Sequence, residues 1–384
     1  MRGTFRIATI RGIPIRIHYT FLLVLPFLAY LFGRVFKLAA RAADVPPASL
    51  HGSPWIWGLG IAIGLFLAVL LHELAHALYA VRKGVEVRDI TLLMIGGVSQ
   101  IAERPKESRD EAMIALVGPI ASLVIGAGLY ALSRLVRTAE LFDLRFALFY
   151  LSQLNLILGA FNLLPAFPMD GGRVLRAVLV PRFGLLRATR AAAFAGKTFA
   201  VIFGILGLFS LNVLLLLVAL FVFFGAEGES RQVLLQATLG RIKVRDVMAA
   251  PAAAVDARDS VSAAAETMVR ERRLALPVTD HGQAFGVVTL ENLRIIPPGQ
   301  RERTLVGAVA HRVPAVGPDD EVWKAVRTMD SAGISQLAVV DQGQIIGTIS
   351  QSDVALGIHL QELTMAGARR ALGRATLRRG ETPA

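Results

Sequence analysis

Within the first 226 residues, apolar stretches long enough to cross a bilayer follow one another with short polar breaks between them. A helix rises about 1.5 Å per residue, so roughly 20 apolar residues cover the hydrocarbon. Stretches of that length fall near 19–38, 55–81, 112–133 and 146–166. Residues 191–226 hold enough for two tight helices, with Phe209 to Asn212 as the turn and Lys197 near the start. Six spans is the expected count and five the alternative. The chain is 54% hydrophobic and 18% charged, and the apolar excess sits before about residue 226. The remainder reads as a soluble region of mixed charge and short alternating segments. The expected fold class is therefore a polytopic α-helical membrane protein of about six spans followed by a soluble α/β module.

Charge sets the orientation. Under the six-span count, residues 1–17, 82–111 and 165–197 share one side and hold sixteen Lys or Arg, against six on the other. The positive-inside rule places both termini in the cytoplasm of a multi-pass cell-membrane protein. The net charge of +12 has this explanation, and no compact basic and aromatic module marks a nucleic-acid partner. Arg2, Arg6, Arg11 and Arg16 resemble the start of a signal sequence, but no small-residue cleavage site follows, so the first span is read as retained. Between the second and third spans, Val85 to Ala102 is rich in β-branched residues and broken by Gly96 and Gly97. It predicts a sheet or hairpin packed against the helices, with a surface loop as the alternative, and must be buried in protein, line a wet cavity or lie at the interface.

Inside the second span stands LLHELAHALYA, with His72, Glu73 and His76. Ionisable groups are costly at that depth unless they serve a site. Residues four apart share one helical face, so the two imidazoles can reach one ion, and Glu73 can reach a water bound to it. With no cysteine in the chain, any metal must take His, Asp or Glu. A catalytic zinc takes three protein ligands and leaves a position for water. Asp170 is the candidate third ligand, in FNLLPAFPMDGGRVLR, where Gly171 and Gly172 follow and a helix opens. The alternative is that Asp170 caps that helix. Asn162, just upstream, either donates to the oxygen that becomes negative on carbonyl attack or satisfies backbone groups freed by Pro165 and Pro168.

HELAH on a membrane helix followed by NLLPAFPMDGG resembles the site-2 protease family of intramembrane zinc metalloproteases, over roughly residues 5–226. The resemblance implies one zinc per chain on His72, His76 and Asp170, with Glu73 as general base and Asn162 assisting the oxyanion or substrate. It also implies that the segment with Gly96 and Gly97 receives unwound substrate as an added strand. Ser122, in GPIAS, stands where relatives often carry Asn, from which altered packing is expected.

Beyond the spans the chain repeats at an offset of 61 residues: Val255 and Val316, Asp259 and Asp320, Met268 and Met329, Val278 and Val339, Gly286 and Gly347, Thr289 and Ser350. Each unit reads as strand, helix, two strands around a polar turn, and a second helix. The repeat resembles a tandem of CBS domains over about Val244 to Leu360. The resemblance implies that Ser350 and Asp353 hold the ribose and phosphate of an adenine nucleotide, ATP or AMP. Thr289 matches in the first unit, but Asn292 replaces the Asp. Capping of the following helix is the competing reading for Ser350 and Asp353.

The expected domains are 1–226 protease, 227–243 linker, 244–303 and 304–361 CBS domains, and a basic, disordered tail at 362–384. The expected activity is regulated intramembrane proteolysis of a single-span protein in the lipid bilayer, modulated by nucleotide, with a homodimer through the CBS domains as one further expectation. A CBS-gated transporter or channel, or a proteolytically dead membrane-protein binder, is the alternative.

Overall fold

The computed structural model describes residues 3–46, 50–94, 96–101, 105, 107–136, 141–249, 253–312 and 315–357. Two compact units divide the chain, residues 1–233 and 234–384. The tail expected at 362–384 lies outside the described residues.

The membrane unit opens with a hairpin, β1 (Thr4–Ile10) and β2 (Ile13–His18). Among the described residues, six helices are long and apolar enough to cross a membrane: α1 (Tyr19–Ala42), α2 (Pro54–Arg82), α3 (Ser108–Leu135), α4 (Phe142–Asn162), α6 (Leu185–Phe209) and α7 (Val213–Leu239). The shorter α5 (Asp170–Phe183) follows α4. Six spans replace the five-span alternative, and the turn expected at Phe209 to Asn212 separates α6 from α7. Large apolar side chains such as Leu208, Phe209, Leu214 and Phe224 face outward, as lipid-contacting surfaces do. Close helix crossings rest on small residues. A side chain on Gly58 would meet the backbone of Ala29 and Gly33 on α1, and one on Gly126 or Gly159 would meet the α3–α4 contact.

Between α2 and α3 lie β3 (Val87–Leu93) and β4 (Gly96–Ile101), the hairpin expected from its β-branched residues. The N-terminal hairpin was not expected. It joins the same sheet in the order β1-β2-β3-β4, with β2 and β3 parallel. A strand before the first span and one after the second can pair only when the two spans return the chain to one side. In the sheet, residues 13–18 before the first span and 87–93 after the second thus lie side by side. Its ladders also satisfy the backbone groups that lipid could not. β4 is an edge strand.

Two further differences concern helix ends. α4 stops at Asn162, not 166, because Pro165 and Pro168 follow. α7 runs on to Leu239, through most of the segment assigned to a linker, and Leu239, Ile242 and Val244 are buried in the core of the second repeat.

The soluble unit contains two similar halves. The first has β5 (Val255–Asp256), α8 (Val261–Glu271), β6 (Ala275–Asp280), β7 (Gln283–Thr289) and α9 (Leu290–Arg294). After α10 (Val306–Val309), the second has α11 (Val322–Ala332), β8 (Gln336–Asp341), β9 (Gln344–Ser350) and a helix over residues 351–357. The repeat extends to single hydrogen bonds. Asp259 accepts from the amide of Asp256 and Asp320 from that of Gly317, both at 2.8 Å.

Candidate metal centre

On α2, His72 and His76 lie one turn apart and are buried, at 4% and 6% exposed. Asp170, the first residue of α5, follows the N-cap Met169, whose side chain makes no capping bond, and its own carboxylate turns to the histidines. Its Oδ2 lies 3.2 Å from Nε2 of His72 and 3.2 Å from Nε2 of His76, and the two Nε2 atoms are 3.1 Å apart. Three donor atoms thus form a nearly equilateral triangle.

For His76, the opposite ring atom establishes what points inward. Nδ1 of His76 lies 2.6 Å from the carbonyl oxygen of Ile114, which can only accept, so Nδ1 carries the proton and Nε2 presents its lone pair. Nδ1 of His72 lies 2.9 Å from Oγ of the fully buried Ser122. Such outer hydrogen bonds set the tautomer and orientation of a ligating histidine. Lone pairs converging in a buried place repel one another unless a cation or proton stands between them. Bonds of about 2.0–2.1 Å to a tetrahedral zinc place ligand atoms roughly 3.3 Å apart, close to the spacing seen here.

Neighbouring glycines make the approach possible. A methyl group on Gly118 of α3 would lie 2.1 Å from Nε2 of His76. One on Gly171 or Gly172 would lie 2.3 or 2.5 Å from backbone atoms of Leu164 or Ala166, so only glycine lets the Leu163 to Met169 loop fold over the start of α5. That loop is anchored from below. Arg176, 3% exposed, donates from Nε to Glu111 of α3 at 2.9 Å and from Nη1 to Glu229 of α7 at 3.3 Å. Its guanidinium also lies 5.0 Å from the ring centroid of Phe167. A buried cation with two carboxylate partners fixes the helix that Asp170 begins.

Glu73 faces β4. Oγ of Ser99 donates to its Oε2 at 2.7 Å, and a methyl group on Gly97 would lie 2.4 Å from its Cγ. Gly97 and Ser99 are two apart, so they share the strand face turned to Glu73. Gly96 has φ +144°, in the region that favours glycine, and no atom crowds it. Asn162 donates from Nδ2 to the carbonyl oxygen of Leu158 on its own helix at 3.0 Å.

The structure therefore brings together His72, His76 and Asp170, and sets Gly97 beside Glu73. Ser99 and Arg176 were missed, and Ser122 was expected only to alter packing. Ser122 had a signal: Gly118 and Ser122 are four apart on α3, matching the four-residue spacing of His76 and His72 on the helix facing it. Ser99 had only its alternation with Gly97.

In the soluble unit, Ser350 and Asp353 bond to each other. Oδ2 of Asp353 accepts from the Ser350 amide at 2.9 Å and its hydroxyl at 2.6 Å, while the amide of Asp353 donates back at 3.2 Å. Thr289 and Asn292 form the equivalent box at the start of α9.

Comparison with known proteins agrees with the geometry. The family model described as Peptidase family M50 matches residues 60–144 and 137–206. A zinc metalloprotease of Methanocaldococcus jannaschii is 35% identical over 367 residues, covering 94% of this chain and 98% of that protein. The chain belongs to peptidase family M50. Rip3 of Mycobacterium tuberculosis is 33% identical to this M50 peptidase over 387 residues, covering 94% and 95% of the two chains. A solved site-2 protease from Methanocaldococcus jannaschii is 40% identical, covers 59% of this chain and 95% of its own, and superposes with a TM-score of 0.42. The CBS domain model matches residues 244–297 and 306–359. The protein is thus a multi-pass membrane metalloprotease of the site-2 protease type with tandem CBS domains, and the transporter reading falls away.

Proposed function

We propose that this M50 peptidase hydrolyses peptide bonds of single-span membrane proteins at one zinc ion held by His72, His76 and Asp170. The convergence of two imidazole nitrogens and a carboxylate oxygen supports this reading, and all three ligands come from one chain. Zinc, when bound, polarises a carbonyl and makes a water acidic enough to lose its proton near neutrality. Glu73, adjacent to His72 on α2, takes that proton and returns it to the leaving amine. Ser99 holds the Glu73 carboxylate in place through its hydroxyl. Asn162 has a second amide hydrogen available to the oxygen that gains charge.

A substrate helix hides its carbonyls in its own hydrogen bonds, so it must unwind. The free edge of β4 offers it main-chain partners, with Gly96 and Gly97 leaving room for its backbone. Substrates with weak helices near the cleavage site are therefore preferred. Both termini lie in the cytoplasm, a reading supported by the sixteen Lys and Arg on their side against six on the other.

The CBS pair takes an adenine nucleotide at Ser350 and Asp353, with Thr289 the weaker counterpart. A cavity of about 170 Å³ lies between the two repeats, lined by Ala284, Phe285, Gly286, Val287, Ala315, Leu337 and Ala338. Ordinary ligand pockets hold about 300–1,000 Å³, so binding spreads the repeats. Nucleotide alters proteolysis only so far as it binds active and inactive arrangements unequally.

The test is cleavage of a panel of single-span proteins by the purified chain in liposomes, with zinc assayed in parallel. Chelation stops cleavage, and Glu73→Gln retains zinc while losing about 10²–10⁴ in rate. A well-folded protein that binds no zinc would overturn the assignment of ligands.

A further inference from the structure

Away from the metal centre, a cavity of about 630 Å³ opens on the other flank of α2, lined by Arg11, Ile13, Ala75, Leu78, Tyr79, Val81, Arg82 and Val117. Its walls are aliphatic along α2 and α3, while Arg82 ends α2 and Arg11 occupies the turn between β1 and β2. Arg11 and Arg82 are both exposed and have no hydrogen-bond or ion-pair partner among the described residues. The contrast with Lys83 is sharp, because its ammonium is held by Asp110 at 2.7 Å. Arg16, likewise, faces Asp89 at 3.7 Å.

From this arrangement we infer that the groove is a binding site for an anionic phospholipid. Two unpaired guanidinium groups beside an apolar channel at the end of a membrane helix match the two parts of such a molecule, a phosphate and an acyl chain. Arginine's planar donors suit a phosphate, and basic pockets between membrane helices on the cytoplasmic side take acidic headgroups. Tyr79 adds an amphipathic ring between the charged and apolar ends, as interfacial tyrosines do. From Arg82 the channel runs about two helical turns to Ala75, enough for the first part of an acyl chain. Its inner residues, Ala75 and Val117, are the chain neighbours of His76 and Gly118. An acidic peptide segment is the competing occupant. The bilayer setting and the aliphatic share of the lining favour lipid.

The experiment reconstitutes the full chain in nanodiscs containing phosphatidylcholine and phosphatidylglycerol, releases it, and counts the lipid retained by native mass spectrometry. Wild type retains phosphatidylglycerol in preference to phosphatidylcholine. Each charge near the headgroups contributes roughly fivefold, so Arg11→Gln with Arg82→Gln lowers the preference about thirtyfold. Val117→Trp, which fills the channel and keeps both charges, also loses the retained lipid. The inference is overturned if the double variant keeps the wild-type preference, or if Val117→Trp binds as before. It is overturned equally if an acidic peptide displaces the retained lipid while excess phosphatidylglycerol does not. None of these readings depends on proteolysis, so they stand apart from the assignment of the zinc ligands.

Discussion

Two carboxylates follow turns into helices in this protein, and their side chains behave differently. Asp170 begins α5 but leaves that helix end uncapped and turns to His72 and His76. Asp353 turns back onto the amide and hydroxyl of Ser350, at the start of the helix over residues 351–357. The first arrangement gathers two imidazole nitrogens and a carboxylate oxygen at one point, as a cation site does. The second is already complete as a helix cap. A buried polar side chain that its local fold does not employ points to chemistry, whereas one that serves as a cap needs separate proof that it binds anything.

That contrast can be broken most decisively at Asp170. Asp170→Ala abolishes cleavage and lowers zinc affinity by more than the roughly 10–100-fold that loss of a supporting hydrogen bond brings. Metal analysis of the folded variant checks this, and full zinc occupancy would remove the contrast. Ser122→Ala comes next. It frees Nδ1 of His72 and weakens zinc by about 10–100-fold, measured by competition with a chelator. An unchanged affinity would mean that packing alone orients the ring.

Smaller effects sharpen the other side of the comparison. Ser350→Ala destabilises the start of the helix over residues 351–357 by about 1 kcal/mol, as loss of a cap does, read by hydrogen exchange. The same variant loses ATP binding in calorimetry if the motif also serves a nucleotide. Falling stability with ATP affinity unmoved would leave it a cap and nothing more. The smallest effect concerns Asp320. Partial burial opposes its charge, but the Lys324 ammonium and the Gly317 amide outweigh this and hold its carboxyl below the usual range. A lowered carboxyl stabilises the fold above its ordinary value, near pH 4, and the contribution fades as pH falls to the folded value. Asp320→Asn should therefore loosen residues 317–332 at neutral pH, with the gap from wild type closing in that acidic window.

Much of the site was legible because it depends on short-range geometry. Four-residue spacing in a helix brings His72 and His76 together wherever that helix sits. Run length is what made the spans readable, and β-branched residues around two glycines revealed the β3–β4 hairpin. The N-terminal hairpin escaped notice because its partner, β3, comes some seventy residues later, and parallel pairing of β2 with β3 leaves no local pattern. The reach of α7 to Leu239 was hidden by the polar run from Glu227 to Gln232, which reads as a linker although helical pairing continues through it.

What the sequence determined by itself was an expected six spans, the 61-residue repeat and the placing of His72 and His76 on one helical face, since each follows from composition or from spacing within one element. Only the tertiary structure decided that Asp170 points at the histidines and does not cap α5. The same holds for Ser122 and the Ile114 carbonyl setting the ring orientations, for Ser99 holding Glu73, and for the amide of Asn162 bonding to its own helix. Each of these is a choice among rotamers and partners on different elements. Such choices are made by the packing of α2, α3, α5 and β4 against one another, about which no single stretch of sequence carries the information.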